Sequence, residues 1–156
     1  MTSPKPAPHL SDWAREHLAR YLATDGAEGD HWPSAVAPQY GAVPALLLTV
    51  TGRQSGERYI MPLYYGETEG RHIIIASKGG ADVHPGWYLN VLADPRVQVQ
   101  VGRKKFDAIT RTATGAERQR LWDFMVRHYP PYGEYQVKTT REIPVVVLDP
   151  QTGADQ

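Results

Sequence analysis

A chain of 156 residues is long enough to bury a real core, and one domain accommodates it. Lys plus Arg number 17 and Asp plus Glu number 17, so the formal charge is zero and the basic excess of a dedicated nucleic-acid binder is missing. There is no cysteine, which excludes a disulfide framework, a thiolate nucleophile and a zinc-thiolate site.

No run approaches the ~18 consecutive apolar residues of a membrane span, and the start MTSPKPAPHL lacks the apolar core of a secretory signal. The expectation is a soluble, cytoplasmic protein. Residues 1–8, with Pro at positions 4, 6 and 8, read as a loose tail. From Leu10 the set Leu10, Ala14, Leu18, Tyr21 and Leu22 recurs at helical spacing, with Ser11 or Asp12 as the cap. That helix either packs on the domain or serves a peripheral membrane contact or a partner. Residues 24–44 carry Gly, Pro and acids without periodicity and read as a long loop.

Strand patterns follow. Ala45–Val50 (ALLLTV), Tyr59–Gly66 (YIMPLYYG) and His72–Ala76 (HIIIA) are rich in β-formers, and Pro62 places the second at an edge, a bulge or a break in pairing. Pro85 suits the start of a helix that Asp94-Pro95 ends. Val97–Val101 (VQVQV) alternates strictly, with a strand partner near Phe106–Thr112. Thr114-Gly115-Ala116-Glu117 fits a capping box before a helix whose stripe is Leu121, Trp122, Met125, Val126 and Tyr129. Ile143–Leu148 (IPVVVL) is the final strand. About six mainly antiparallel strands with helices in the connections define an α+β class, a barrel or strongly curled sheet. The organisation is residues 1–43 as tail, helix and loop, 44–150 as the barrel domain, and 151–156 as a polar tail.

Three stretches could carry chemistry. Thr51-Gly52-Arg53-Gln54-Ser55-Gly56-Glu57-Arg58 lies between two strands, where main-chain N–H groups and guanidinium forks can hold a phosphate. An ordinary charged hairpin turn is the competing reading. Ala76-Ser77-Lys78-Gly79-Gly80 frees the backbone after a buried strand and leads to a helix start beside Trp87 and Asn90, a place suited to an anionic or electron-rich ring edge. Simple packing of Trp87 and a solvated Lys78 are the alternatives. Tyr129, Tyr132 and Tyr135, spaced by three and stiffened by Pro130-Pro131, either line an apolar pocket or plug the end of a helix. The six histidines show no metal-ligand spacing and no Gly-x-Ser-x-Gly elbow is present, so demanding chemistry points to a borrowed redox cofactor.

The blocks LLLTVTGRQSGERYIMPLYYG, IIIASKGGADVHPGWYLNVLADPRVQVQVG, YPPYGEYQ and TTREIPVVVLDP resemble the deazaflavin-dependent nitroreductase family of actinobacteria over residues 44–150. The resemblance implies a split β-barrel related to FMN-binding proteins, and coenzyme F420 as hydride carrier. It implies that Arg53, Gln54, Ser55 and Arg58 hold the phosphate and the start of the oligoglutamate tail. Pro62, Leu63 and Tyr64 line the groove; Ala76, Ser77, Lys78, Gly79 and Gly80 meet the ring; and Trp87 and Asn90 complete the wall. Trp87, Tyr129, Tyr132 and Tyr135 shape the substrate side, where a quinone, enone or nitroheterocycle takes the hydride and Tyr132, Ser77 or water supplies the proton. Position 54 is Gln where the family commonly has Lys or Arg, and Glu57 alone separates Gly56 from Arg58 where relatives often have two residues. FMN on the same barrel, and a non-catalytic binder of deazaflavin or an apolar ligand, are the rival functions.

Overall fold

The computed structural model describes residues 3–35 and 37–151; the end of the expected C-terminal tail and the first two residues lie outside them. Strand β1 (Lys5–Pro6) is followed by helix α1 (Asp12–Ala23), β2 (His31–Pro33), β3 (Ala42–Thr51), β4 (Arg58–Tyr64), β5 (Gly66–Thr68) and β6 (Arg71–Ile75). Then come α2 (Gly86–Ala93), β7 (Arg96–Val101), β8 (Lys104–Thr112), α3 (Gly115–His128), α4 (Pro131–Val137) and β9 (Val145–Pro150). The class is α+β, and the strand count is corrected. Nine described strands form one unclosed sheet in the order β1-β4-β3-β7-β8-β9-β6-β5, with β2 on the start of β3, where about six had been expected. The extra strands are two or three residues long, too short to show a periodicity in the sequence.

Every pairing but β1 with β4 is antiparallel. Strand β4 ends at Tyr64 and β5 begins at Gly66, although six strand spacings, roughly 29 Å in a flat sheet, separate them along the ladder. The sheet therefore curls until the end of β4 and the start of β5 lie close together, without closing. Inside the curl pack Leu46, Leu48, Val50, Met61, Ile74, Val97, Val99, Val146 and Leu148, closed by Tyr88 and Val91 of α2. The alternate residues of β6 and β9, Ile73, Ile75, Val145 and Val147, face outward and are covered by Leu121 and Met125 of α3 and Tyr132 of α4. Strand β3 is buried on both faces because Leu47 and Ile60 pack on Leu18 and Tyr21 of α1, which is why ALLLTV reads as continuous apolar sequence rather than alternation.

Pro62 sits opposite Leu47 of β3, and the short β1 reaches only Tyr59 and Ile60, so Pro62 occupies an edge with no ladder bond to lose. The start of the chain is corrected from loose tail to strand. Its extended proline-rich backbone pairs with the free edge of β4, and the Ala7 N–H donates to the Ile60 carbonyl at 2.9 Å. In α1, Ser11 is the cap, its Oγ accepting from the Ala14 N–H at 3.1 Å. The expected stripe shifts: His17 is buried with Leu18 and Tyr21, whereas Leu22 is half exposed. With that face spent on the sheet and Arg15, Glu16 and Arg20 outward, α1 has no apolar face for a membrane surface, and the membrane reading is withdrawn. No described helix is long and apolar enough to cross a bilayer. The capping box before α3 is also corrected. Thr114 makes no side-chain cap, and Glu117 is drawn into a two-point ion pair with Arg111 at 2.6 and 3.0 Å.

Candidate functional site

Two hollows of about 540 and 560 Å³ share Pro62, Leu63, Lys78, Pro85 and Trp87 in their walls, forming one elongated groove. Its floor is the inward side of β4, and its far wall is the start of α2 with the loop after β6. Its rim at one end is Ala7–Leu10, which β1 ties to β4.

The first end carries the arginine of the β3–β4 turn. The β3–β4 turn is a tight hairpin, closed by Gly52 N–H to the Glu57 carbonyl at 2.7 Å and Gly56 N–H to the Gly52 carbonyl at 2.9 Å. A Cβ at Gly52 would stand 2.7 Å from the Tyr59 ring, so only glycine lets the turn close over that side chain. Arg53, Gln54 and Ser55 line this end and are exposed. Asn90 of α2 pins Arg53: its Oδ1 accepts from Arg53 Nη1 at 2.7 Å and from the Arg53 backbone N–H at 3.1 Å. The guanidinium is thus oriented while most of its five N–H groups stay available. Ser55 Oγ shares a hydrogen bond of 3.1 Å with the Tyr59 hydroxyl.

The middle is bare backbone. Ser77, Lys78 and Gly79 line the groove, and Lys78, Gly79 and Gly80 all have positive φ, +47°, +63° and +87°. A Cβ at Gly79 would meet nothing within 4 Å, so a flat ligand can approach the main chain there. Gly80 has a different task. A Cβ there would lie 2.8 Å from the Tyr135 carbonyl oxygen, so the glycine lets α4 press onto the loop.

The second end is aromatic. Tyr64, Tyr129, Tyr132 and Tyr135 line it with Trp87, and α1 adds Trp13 and His17. Tyr129 shares a 2.6 Å hydrogen bond with Ser34, and the Tyr64 hydroxyl donates to the Trp32 carbonyl at 3.1 Å. Tyr132 is 5% exposed and packs edge-on to Tyr129 at 5.0 Å. Burial, then the neighbouring tyrosines, push the Tyr132 phenol far above its ordinary value, and burial takes Tyr135 up to about 12. Both stay protonated donors across the physiological range. His17 stacks flat on Trp32 at 4.5 Å with Nε2 2.7 Å from the Gly29 carbonyl, and burial lowers its pKa, keeping the ring neutral.

Most of the residues named from sequence meet here, and three do not face the groove. Arg58 lies on the opposite face of β4, where it donates to Gln98 and lines separate hollows with Thr49 and Asp107. At that end of β4, Tyr59 and Met61 take the groove side and Arg58 and Ile60 the other, so Arg58 is not placed to share the expected phosphate with Arg53. Ala76 is fully buried in the core, and Gly80 packs beneath α4, so neither lines the groove. Both roles in meeting the ring are corrected accordingly. Trp13, His17, Ser34 and Tyr59 were missed. Trp13, His17 and Tyr21 are spaced i, i+4, i+8, an aromatic stripe beside the aliphatic one and legible at the same period.

The protein is an α+β fold whose curled sheet rims a groove with Arg53 at one end and a cluster of tyrosines at the other. Residues 13–150 match the family described as F420H(2)-dependent quinone reductase, and the chain belongs to that family. It is 36% identical over 137 residues to the F420H(2)-dependent quinone reductase Rv1261c of Mycobacterium tuberculosis, covering 86% of this chain and 87% of that protein. Among solved structures it is similar to an F420-H2 dependent reductase, FDR-A, at 46% identity and TM-score 0.64 over 68% of this chain and 94% of that one. A domain-swapped dimer is similar at 41% identity and TM-score 0.66, covering 88% and 98%. The family match begins at Trp13, so it takes in α1 and the aromatic end as well as the blocks from residue 44 onward.

Proposed function

We propose that this protein is an F420H2-dependent reductase that passes a hydride to a quinone, on a split-barrel frame to which the curled, open sheet corresponds. The observation that carries the reading is the continuity of the groove, which joins the pinned Arg53 to the buried Tyr132 across the exposed backbone at Gly79. The residues fit the cofactor. Arg53, Gln54 and Ser55 would take the phosphate and the start of the acidic tail, Ser77, Lys78 and Gly79 the ring edge, and Trp87 the wall between. When bound, F420H2 supplies the hydride.

The chain itself positions, excludes water and manages a proton. Trp13, Tyr64, Trp87 and Tyr135 enclose a flat acceptor against the ring site and remove water, which strengthens each polar contact left inside. Tyr132 is held neutral by burial and its hydroxyl has no hydrogen-bond partner among the described residues, so it can donate to an acceptor oxygen as negative charge develops there. Ser77 is the second donor within the same wall. Gln54 weakens the anion grip relative to a cation, because neutral hydrogen bonds are worth about 1 kcal/mol against ~1.5–3 for charged ones.

The test mixes purified protein with F420H2 and menadione and follows the return of oxidised-deazaflavin absorbance, with an enone and a nitroimidazole in parallel. Turnover above the protein-free control with the quinone is expected. No turnover across the panel would reject the reading, with tight F420 binding then favouring a storage protein. A yellow protein as purified would favour FMN.

A further inference from the structure

The sequence block TTREIPVV carries Arg141 and Glu142 just before a strand whose first four residues are buried, and the groove accounts for neither. Arg141 is half buried and has no carboxylate within ion-pair distance among the described residues. Its guanidinium instead reaches across to the loop after β6. Nε donates to the Ala81 carbonyl at 2.7 Å, Nη2 to the Ser77 carbonyl at 2.8 Å, and both Nη1 and Nη2 to the Ala76 carbonyl at 3.3 Å. Nη1 also donates to Nδ1 of His84 at 3.0 Å, which requires that nitrogen unprotonated; burial and the adjacent guanidinium lower His84. The other end of Arg141 is equally fixed. Gln136 of α4 donates to the Arg141 carbonyl at 2.7 Å and accepts from the Ile143 N–H at 2.9 Å.

The loop needs such a clamp. Lys78, a non-glycine residue, has φ +47°, in a region that L residues avoid unless the surroundings over-determine it. Because carbonyl and following N–H point in opposite directions across a trans peptide, holding the Ala76 and Ser77 carbonyls turns the Ser77 and Lys78 N–H groups away from the guanidinium. Neither N–H has an acceptor among the described residues, and both belong to residues that line the groove.

We propose that Arg141, seated on His84 and the carbonyls of Ala76, Ser77 and Ala81, is a positioning residue that presents the Ser77–Gly79 main chain to the cofactor. It touches no ligand itself. The identity of that ligand rests on the F420 reading above; the clamp on the loop does not. Lysine keeps the charge but has no planar fork to span three carbonyls and an imidazole.

The experiment has one arm on the wild-type protein and one on Arg141→Lys. In the wild type, nitrogen-15 NMR should show the Arg141 Nε proton exchanging slowly and the Nη groups separately resolved. In Arg141→Lys, amide exchange at Gly80 and Ala81, whose N–H groups bond the Ser77 and Lys78 carbonyls at 3.0 and 3.1 Å, should rise at least about tenfold while distant core amides do not change. The F420 dissociation constant should rise by about tenfold or more. A fast-exchanging, averaged guanidinium signal in the wild type overturns the proposal, as does unchanged exchange at Gly80 and Ala81 in the variant. A general loss of protection, with no excess at this loop, also overturns it. Failure of the wild type to take up F420 counts against the cofactor reading instead, and the exchange arm, read without ligand, then decides the role of Arg141 by itself.

Discussion

Replacing Asn90 with alanine isolates the anion end of the groove. Asn90 Oδ1 accepts from both the backbone N–H and the guanidinium of Arg53. Both residues have access to water, so the lost bonds are largely replaced by solvent and the effect on stability should stay below ~1 kcal/mol. Affinity is a separate matter. An arginine side chain carries about 2 kcal/mol of rotamer entropy, and a freed Arg53 must surrender part of it on gripping a phosphate, as the pinned one need not. A loss of about 1–2 kcal/mol corresponds to a dissociation constant raised about 5- to 30-fold. The assay is a fluorescence titration of wild type and Asn90→Ala with F420 and, in parallel, with a deazaflavin lacking the phosphate and tail. The weakening should appear with F420 and vanish with the tail-less ligand. Equal weakening with both would mean that Asn90 contacts the ring instead, and no weakening with either would refute the pinning argument.

Tyr132→Phe should lower turnover with the quinone by about tenfold or more while leaving the F420 dissociation constant within a factor of two, since it removes a donor at the acceptor end and little volume; stopped-flow and titration separate the two effects. Arg58→Ala should leave F420 affinity unchanged within error, because that guanidinium lies on the other face of β4; a loss comparable to that of Arg53→Ala would reverse the assignment. For pH, the imidazoles of His17 and His72 are lowered from their ordinary 6.5, burial being the first cause in each. Between the folded and unfolded values the unfolded chain binds more protons, so stability should be full above about 6.5 and fall as pH drops through that window. Denaturant midpoints across pH 7.5 to 5 check the sign, and His17→Phe should flatten part of the slope.

The site was legible wherever a local rule governs it. Ser11 before an apolar-periodic run, the glycines of the β3–β4 turn and the Ser77–Gly80 break after HIII all signal their conformations from neighbours in the chain, and the structure realises them. Two local readings failed because a partner outside the local pattern outcompeted the near one. Glu117 left its cap position for Arg111, and the proline-rich start found the open edge of β4.

What the sequence by itself determined is the set of periodicities, the turns and the types of residue available: alternating strands, a capped helix, tyrosines three apart, two arginines in one hairpin. Only the tertiary structure decided which residues share a space. Alternation says that Arg58 and Tyr59 point to opposite sides but not which side becomes the groove; that depends on the curl bringing β4 against α2. The same holds for Trp13 and His17 reaching the tyrosines, and for Arg141 reaching a loop some 60 residues earlier in the chain. Local geometry acts over a few residues, whereas closure of a sheet is a long-range balance of buried area and register that no short window contains.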